Sequence, residues 1–207
     1  MHSRVLMRSL ALVATVVVGV GGVVSVSPAE ARTNVPPFEI VFPQETAPTE
    51  FTDTYGHHRS GGRSHKGTDL LAPRMTEVYA VADGVVVYVG INNLSGRNMK
   101  IDHGGGWQSY YVHLNNDNIG SDDGQAPWSL TVAPGVEEGR RVAAGQLIGW
   151  VGDSGNAEGT TPHTHFELRI DGRSINAYSL LAEAYDRAVE EENAMRLVLG
   201  LPGYQIE

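Results

Sequence analysis

The sequence predicts a mainly β fold: an antiparallel sandwich or barrel-like core with a helix at its C-terminal end. Three observations predict it. Short apolar runs of strand character recur between Gly-rich turns from residue 77 to residue 172. Two of them, "ADGVVVYVG" (82–90) and "AAGQLIGWVG" (143–152), share a cadence that suggests two related halves. One long stretch after Ile175 carries apolar residues at 180, 181, 184, 185, 188 and 189, which is helical spacing.

Taken in order, residues 1–31 read as a signal peptide. Arg4 and Arg8 form a basic start, "LALVATVVVGVGGVV" (10–24) an apolar run, and Ala29-Glu30-Ala31 a small-x-small cleavage site. The apolar run is short for a membrane span, which needs roughly 20 residues. Cleavage after Ala31 shortens the 207-residue chain to 176 residues and places it outside the cytoplasm, secreted or in the cell envelope, without stable membrane insertion. Residues 32–52 carry four prolines and no helical period, an extended lead-in. "DTYGHHRSGGRSHKGTD" (53–69) is a loop by composition. Strands are expected within 77–90, 98–114, 140–155 and 162–172. Between them, 115–135 is long, acidic and expected to be exposed, with the potential to wall a substrate groove. Residues 179–207 form the helical extension, expected to pack on the sheet.

The full chain has no cysteine and a formal charge of −9. Thiolate metal sites and a cysteine nucleophile are excluded. Removing Arg4, Arg8 and Glu30 takes away a net +1 and leaves −10, so net charge draws the protein to neither nucleic acid nor an anionic surface.

The chemistry concentrates in histidines. "HKGTD" puts His65 and Asp69 four apart around a Gly-flexed turn. "PHTHFE" (162–167) puts His163 and His165 on one face of an expected strand, with Thr164 on the other. Nitrogen and oxygen donors of this kind suit catalytic zinc, which takes three protein ligands and leaves a fourth position for water. Spacing alone leaves both His163 and His165 as candidate ligands. Glu167 shares their face, either as an acceptor that orients an imidazole or as a sheet-edge carboxylate, the latter slightly favoured. Arg59 and Arg63 read as solvated loop residues, His57 and His58 as exposed, and His103 as a turn residue.

"HKGTDLLAP", "ADGVVVYVG", "MKIDHGGGWQSYYVHL", "VAAGQLIGWVGDSG" and "TTPHTHFELRIDG", in this order, resemble the lysostaphin-type zinc metallopeptidases, also called the LytM or glycyl-glycine endopeptidase family. The resemblance covers roughly 52–178 and implies a domain over 53–178 of the duplicated hybrid motif type. It implies Zn2+ held by His65, Asp69 and His165, with His113 of "YVHL" and His163 as unligated catalytic residues. The implied activity is hydrolysis of peptide bonds in bacterial cell-wall peptidoglycan by a monomer. The alternatives are a catalytically silent relative that binds the wall and activates another hydrolase, and a sugar-transport phosphocarrier. The retained five positions argue against the first, and the export signal against the second.

Overall fold

The computed structural model describes residues 34–203, so the expected signal peptide lies outside the described residues. Eleven strands follow one another: β1 (His58–Arg59), β2 (Arg63–Ser64), β3 (Thr68–Leu71), β4 (Glu77–Tyr79), β5 (Gly84–Asn92), β6 (Gly96–Gly104), β7 (Trp107–Leu114), β8 (Arg141–Val142), β9 (Leu147–Trp150), β10 (His163–Ile170) and β11 (Arg173–Ile175). Among the described residues one α-helix, α1 (Tyr178–Val198), follows the strands. The main sheet runs β11-β10-β7-β6-β5-β8, and all its pairings are antiparallel. β1 with β2 and β4 with β9 form two small ribbons. The mainly β, antiparallel prediction with a C-terminal helix holds.

The sheet is two-sided because its strands alternate. Met99 and Ile101 of β6, Tyr111 of β7, and Phe166 and Leu168 of β10 are buried in the core with Val78, Val81, Ile148 and Val151. Each such side chain contributes about 1.5–3 kcal/mol on burial. The intervening residues Lys100, Tyr110, His165, Glu167 and Arg169 turn to the other face, where they line a cleft. β10 is the pivot. One edge pairs with β7, and the other is shared by β3 over its first half and β11 over its second.

The lead-in does more than extend. Ile40 and Phe42 are buried, Gln44 bridges to Val78, and Glu50 bridges to Leu71. Helix α1 covers this segment: the Tyr185 ring lies 5.1 Å from Phe42 and 5.6 Å from Phe51, while Leu181, Ala184 and Val189 are buried. The predicted apolar stripe is therefore the packing stripe. Among the described residues no helix is long and apolar enough to cross a membrane.

One expectation holds in part and one changes. Residues 115–135 are mostly exposed between 119 and 129, as expected, but they are buried at 115–117 and 131–133, and none of them lines the cleft. Asp117 is only 1% exposed and accepts hydrogen bonds from the Asp123 and Gly124 amides. Arg74 gathers Asp117, Asp122 and Asp153 around its guanidinium. Buried Arg97 donates to Thr131 Oγ1 and to the Ala126 carbonyl, and Val132 bridges to Gly149. Composition did not reveal these anchors, because a buried carboxylate such as Asp117 needs a paired cation that lies far away in the sequence. His103 is no turn residue. It lies in β6, where its ring nitrogens bond the Asp83 carbonyl and Ser109 Oγ, and burial lowers its pKa.

Candidate metal centre and cleft

His65 reaches the site from the turn before β3, and Asp69 from β3 itself. Gly67 makes that turn possible: a Cβ there would lie 2.1 Å from the Phe166 carbonyl oxygen, so only glycine lets the segment close onto β10. The β3–β10 register then sets Asp69 opposite His165, and Leu71 opposite His163.

Three donor atoms converge. His65 Nε2 is 3.0 Å from Asp69 Oδ1 and 2.9 Å from His165 Nδ1, and His165 Nδ1 is 2.9 Å from Asp69 Oδ1. The outer nitrogen of each ring is already engaged. His65 Nδ1 is 2.9 Å from the Thr54 carbonyl, to which it donates, and His165 Nε2 is 3.1 Å from Glu167 Oε1. With those protons placed outward, the two inward nitrogens of the neutral rings present lone pairs to each other and to a carboxylate oxygen. Such a triangle is repulsive unless a cation or shared proton sits within it. Its edges approach the roughly 3.3 Å that separates tetrahedral ligands at zinc–nitrogen distances. The donor chemistry fits a zinc ion, and outward hydrogen bonds of this kind are what orient imidazole ligands.

Without an ion, ring protons take its place in the triangle. Burial raises the Asp69 pKa, but hydrogen bonds donated by protonated His165 and His65 outweigh it and hold the carboxyl far below its ordinary range. Arg59 Nη2 meets the other oxygen, Asp69 Oδ2, at 2.5 Å. For Glu167, burial acts upward, and the contacts with His165 and Arg169 overcome it, leaving the pKa lowered. For His165, burial acts downward and the Asp69 and Glu167 carboxylates prevail, leaving it raised.

The remaining two histidines stand beside this triangle. His163 Nδ1 lies 2.8 Å from the Thr161 carbonyl, and its Nε2 lies 3.9 Å from Asp69 Oδ1. Donor atoms of His65, Asp69 and His165 all lie within 4.8 Å of one another, a group that does not include His163. The His113 ring is 5.1 Å from that of His163 and 6.1 Å from that of His165, and its Nδ1 is 2.7 Å from the Ser154 carbonyl. Burial, followed by the charge of His163, pushes the His113 pKa down to about 4. Strict alternation from buried Tyr111 would aim His113 into the core. Its left-handed backbone, φ 65°, breaks the alternation and brings the ring to the cleft.

Glu167 and Arg59 are the contributors that sequence reading undervalued. The shared strand face pointed to Glu167, but no local pattern singled out Arg59. His58 lines the cleft, whereas exposed His57 does not. A second carboxylate group, Asp117, Asp122 and Glu158, also has metal-like spacing, but Arg74 pairs with the two aspartates and serves as their counter-ion.

Comparison with known proteins gives the family of the chain. The sequence profile of peptidase family M23 matches residues 63–126 and 129–177, more than half of the chain. The chain is 35% identical over 113 residues to the peptidoglycan DD-endopeptidase ShyA of Vibrio cholerae, a match covering 55% of this chain and 22% of that protein. A zinc containing peptidase from Vibrio cholerae superposes with a TM-score of 0.53 at 26% identity, over 67% of this chain and 39% of that one. The catalytic domain of lysostaphin from Staphylococcus simulans superposes at 0.51 and 25% identity, over 66% of this chain and 95% of that domain. The chain spans about a quarter of the length of the curated relatives it matches.

Proposed function

The chain belongs to peptidase family M23, and from this premise we propose that it is an exported, zinc-dependent endopeptidase that cuts peptide bonds in bacterial cell-wall peptidoglycan. The observation that carries the reading is the lone-pair triangle of His65, Asp69 and His165 with two unligated imidazoles beside it. In this reading His65 Nε2, Asp69 Oδ1 and His165 Nδ1 hold the ion. A zinc ion there supplies Lewis acidity to polarise the scissile carbonyl and to acidify water.

The chain's own residues do the rest. His113 and His163 each commit Nδ1–H to a backbone carbonyl, which leaves Nε2 facing the cleft as a proton acceptor. With its pKa near 4, His113 is neutral at working pH and free to accept. The pair divides two tasks: taking the proton of the attacking water, and, once protonated, donating to the oxyanion. Arg59 and Glu167 hold Asp69 and His165 in their reactive positions. The cleft, about 1150 Å³ and open along the sheet face, accepts an extended peptide. Residues 1–31 act as the cleaved signal, and the working protein is a monomer.

The test is mass spectrometry of fragments released from purified peptidoglycan of defined cross-bridge chemistry, with zinc content measured in parallel. About one zinc per chain and cleavage at one class of peptide bond are expected. His65→Ala and Asp69→Ala should lose both. Full zinc occupancy in those variants overturns the ligand set, and intact wall after incubation with the zinc-loaded protein overturns the activity.

A further inference from the structure

The cleft is charged opposite to the molecule that contains it. The chain has 15 basic and 24 acidic residues. Yet the cleft is lined by Arg59, Arg63, Lys66, Lys100 and Arg169 against only two carboxylates, Asp69 and Glu167. Both carboxylates are committed, Asp69 to the histidines and Arg59, Glu167 to His165 and Arg169. An acidic protein that gathers cations in one groove concentrates anionic ligands there.

One cation stands out by its setting. The cross-strand registers Tyr88↔Lys100, Lys100↔Tyr110 and Tyr110↔Glu167 form a row across β5, β6, β7 and β10, next to the row that carries His165 and Asp69. Lys100 Nζ lies 4.9 Å from the Tyr88 ring centroid and 4.7 Å from that of Tyr110. Tyr110 in turn carries Arg169 at 4.2 Å. Tyr88 leans along its strand: a Cβ at Gly90 would fall 2.3 Å from its hydroxyl, so a glycine there leaves room for the ring. Arg169 is tied to Glu167 and the Gly172 carbonyl. Among the described residues Lys100 has no carboxylate partner, and its ammonium is held only by two aromatic faces.

We infer that Lys100, braced between Tyr88 and Tyr110, is a subsite for a carboxylate of the substrate peptide, and that the enzyme prefers substrates carrying that acid free over those carrying it as an amide. This rests on the endopeptidase reading for the word substrate, not for the binding itself. Two strand spacings across and two residues along separate Lys100 from His165, roughly 12 Å. An extended peptide covers that in three to four residues. The recognised carboxylate therefore lies about three residues from the bond that is cut.

The experiment is calorimetric binding of two synthetic stem peptides, identical except that one free carboxylate is amidated in the second. Wild type and Lys100→Gln are compared, with melting temperature and zinc content as controls. Wild type should bind the free acid about tenfold more tightly than the amide, and Lys100→Gln should bind both alike. Equal binding of the two peptides by wild type, or an undiminished preference in Lys100→Gln, overturns the subsite. Wall digestion is read separately. A carboxylate preference in a protein that cuts no wall peptide would leave the subsite standing and refute the proposed function.

Discussion

Glu167 offers the sharpest test of how the site is held together. Its Oε1 accepts the Nε2–H of His165 at 3.1 Å, and that proton's position is what leaves Nδ1 bare to bind an ion. A hydrogen bond to a charged group contributes about 1.5–3 kcal/mol, and a neutral one about 1 kcal/mol. Glu167→Gln keeps an acceptor but loses the charge, so zinc affinity should fall about tenfold. Glu167→Ala loses the acceptor altogether and frees the ring to rotate or to move its proton to Nδ1. The expected loss is about 100-fold, at the upper end of what removing such an orienting partner costs. Competition against a chromophoric chelator at neutral pH gives both constants. Melting curves of the zinc-free proteins establish that the fold survives, since Arg169 also loses the partner of its Nε. If Glu167→Ala binds zinc within twofold of wild type, the tautomer argument is wrong and Glu167 is an edge carboxylate after all.

Three further outcomes are expected. His113→Ala and His163→Ala should retain zinc yet lose on the order of 100-fold or more in kcat; loss of zinc in His163→Ala would make both histidines of "HTH" ligands. Gly67→Ala sets a methyl 2.1 Å from the Phe166 carbonyl, so β3 must separate from β10; zinc affinity should collapse together with the melting temperature, and an unchanged melting curve would show that the turn can relax. His113 has a folded pKa lowered to about 4 by burial first and then by His163. Its contribution to stability is therefore full above the unfolded value near 6.5 and is lost as pH falls from there through 4, by about 3 kcal/mol at most. Denaturation of zinc-free protein across that window should show a shallower pH dependence in His113→Gln than in wild type, and parallel curves would refute the assignment.

Much of this protein was legible in one dimension. Alternation and Gly-rich turns announced the antiparallel strands, and helical spacing announced the packing face of α1, because both signals are local and periodic. The same two-residue period placed His163, His165 and Glu167 on one face. What stayed illegible depended on partners far away in the chain. Spacing could not separate His163 from His165. The β3–β10 register distinguishes their positions, setting Asp69 opposite His165 and Leu71 opposite His163. The close approach at Gly67 enables that register. Composition placed 115–135 at the surface, where most of 119–129 lies, but it could not show that Asp117 is buried against Arg74 or that the Ala126 carbonyl meets Arg97, contacts that exist only once the sheet has formed. His113 is the clearest case. Strand parity sends it inward with Tyr111, and only a left-handed backbone at the end of β7, with Ser154 accepting from its ring, turns it to the cleft. A sequence period describes an ideal strand, whereas tertiary packing decides where the strand must depart from it.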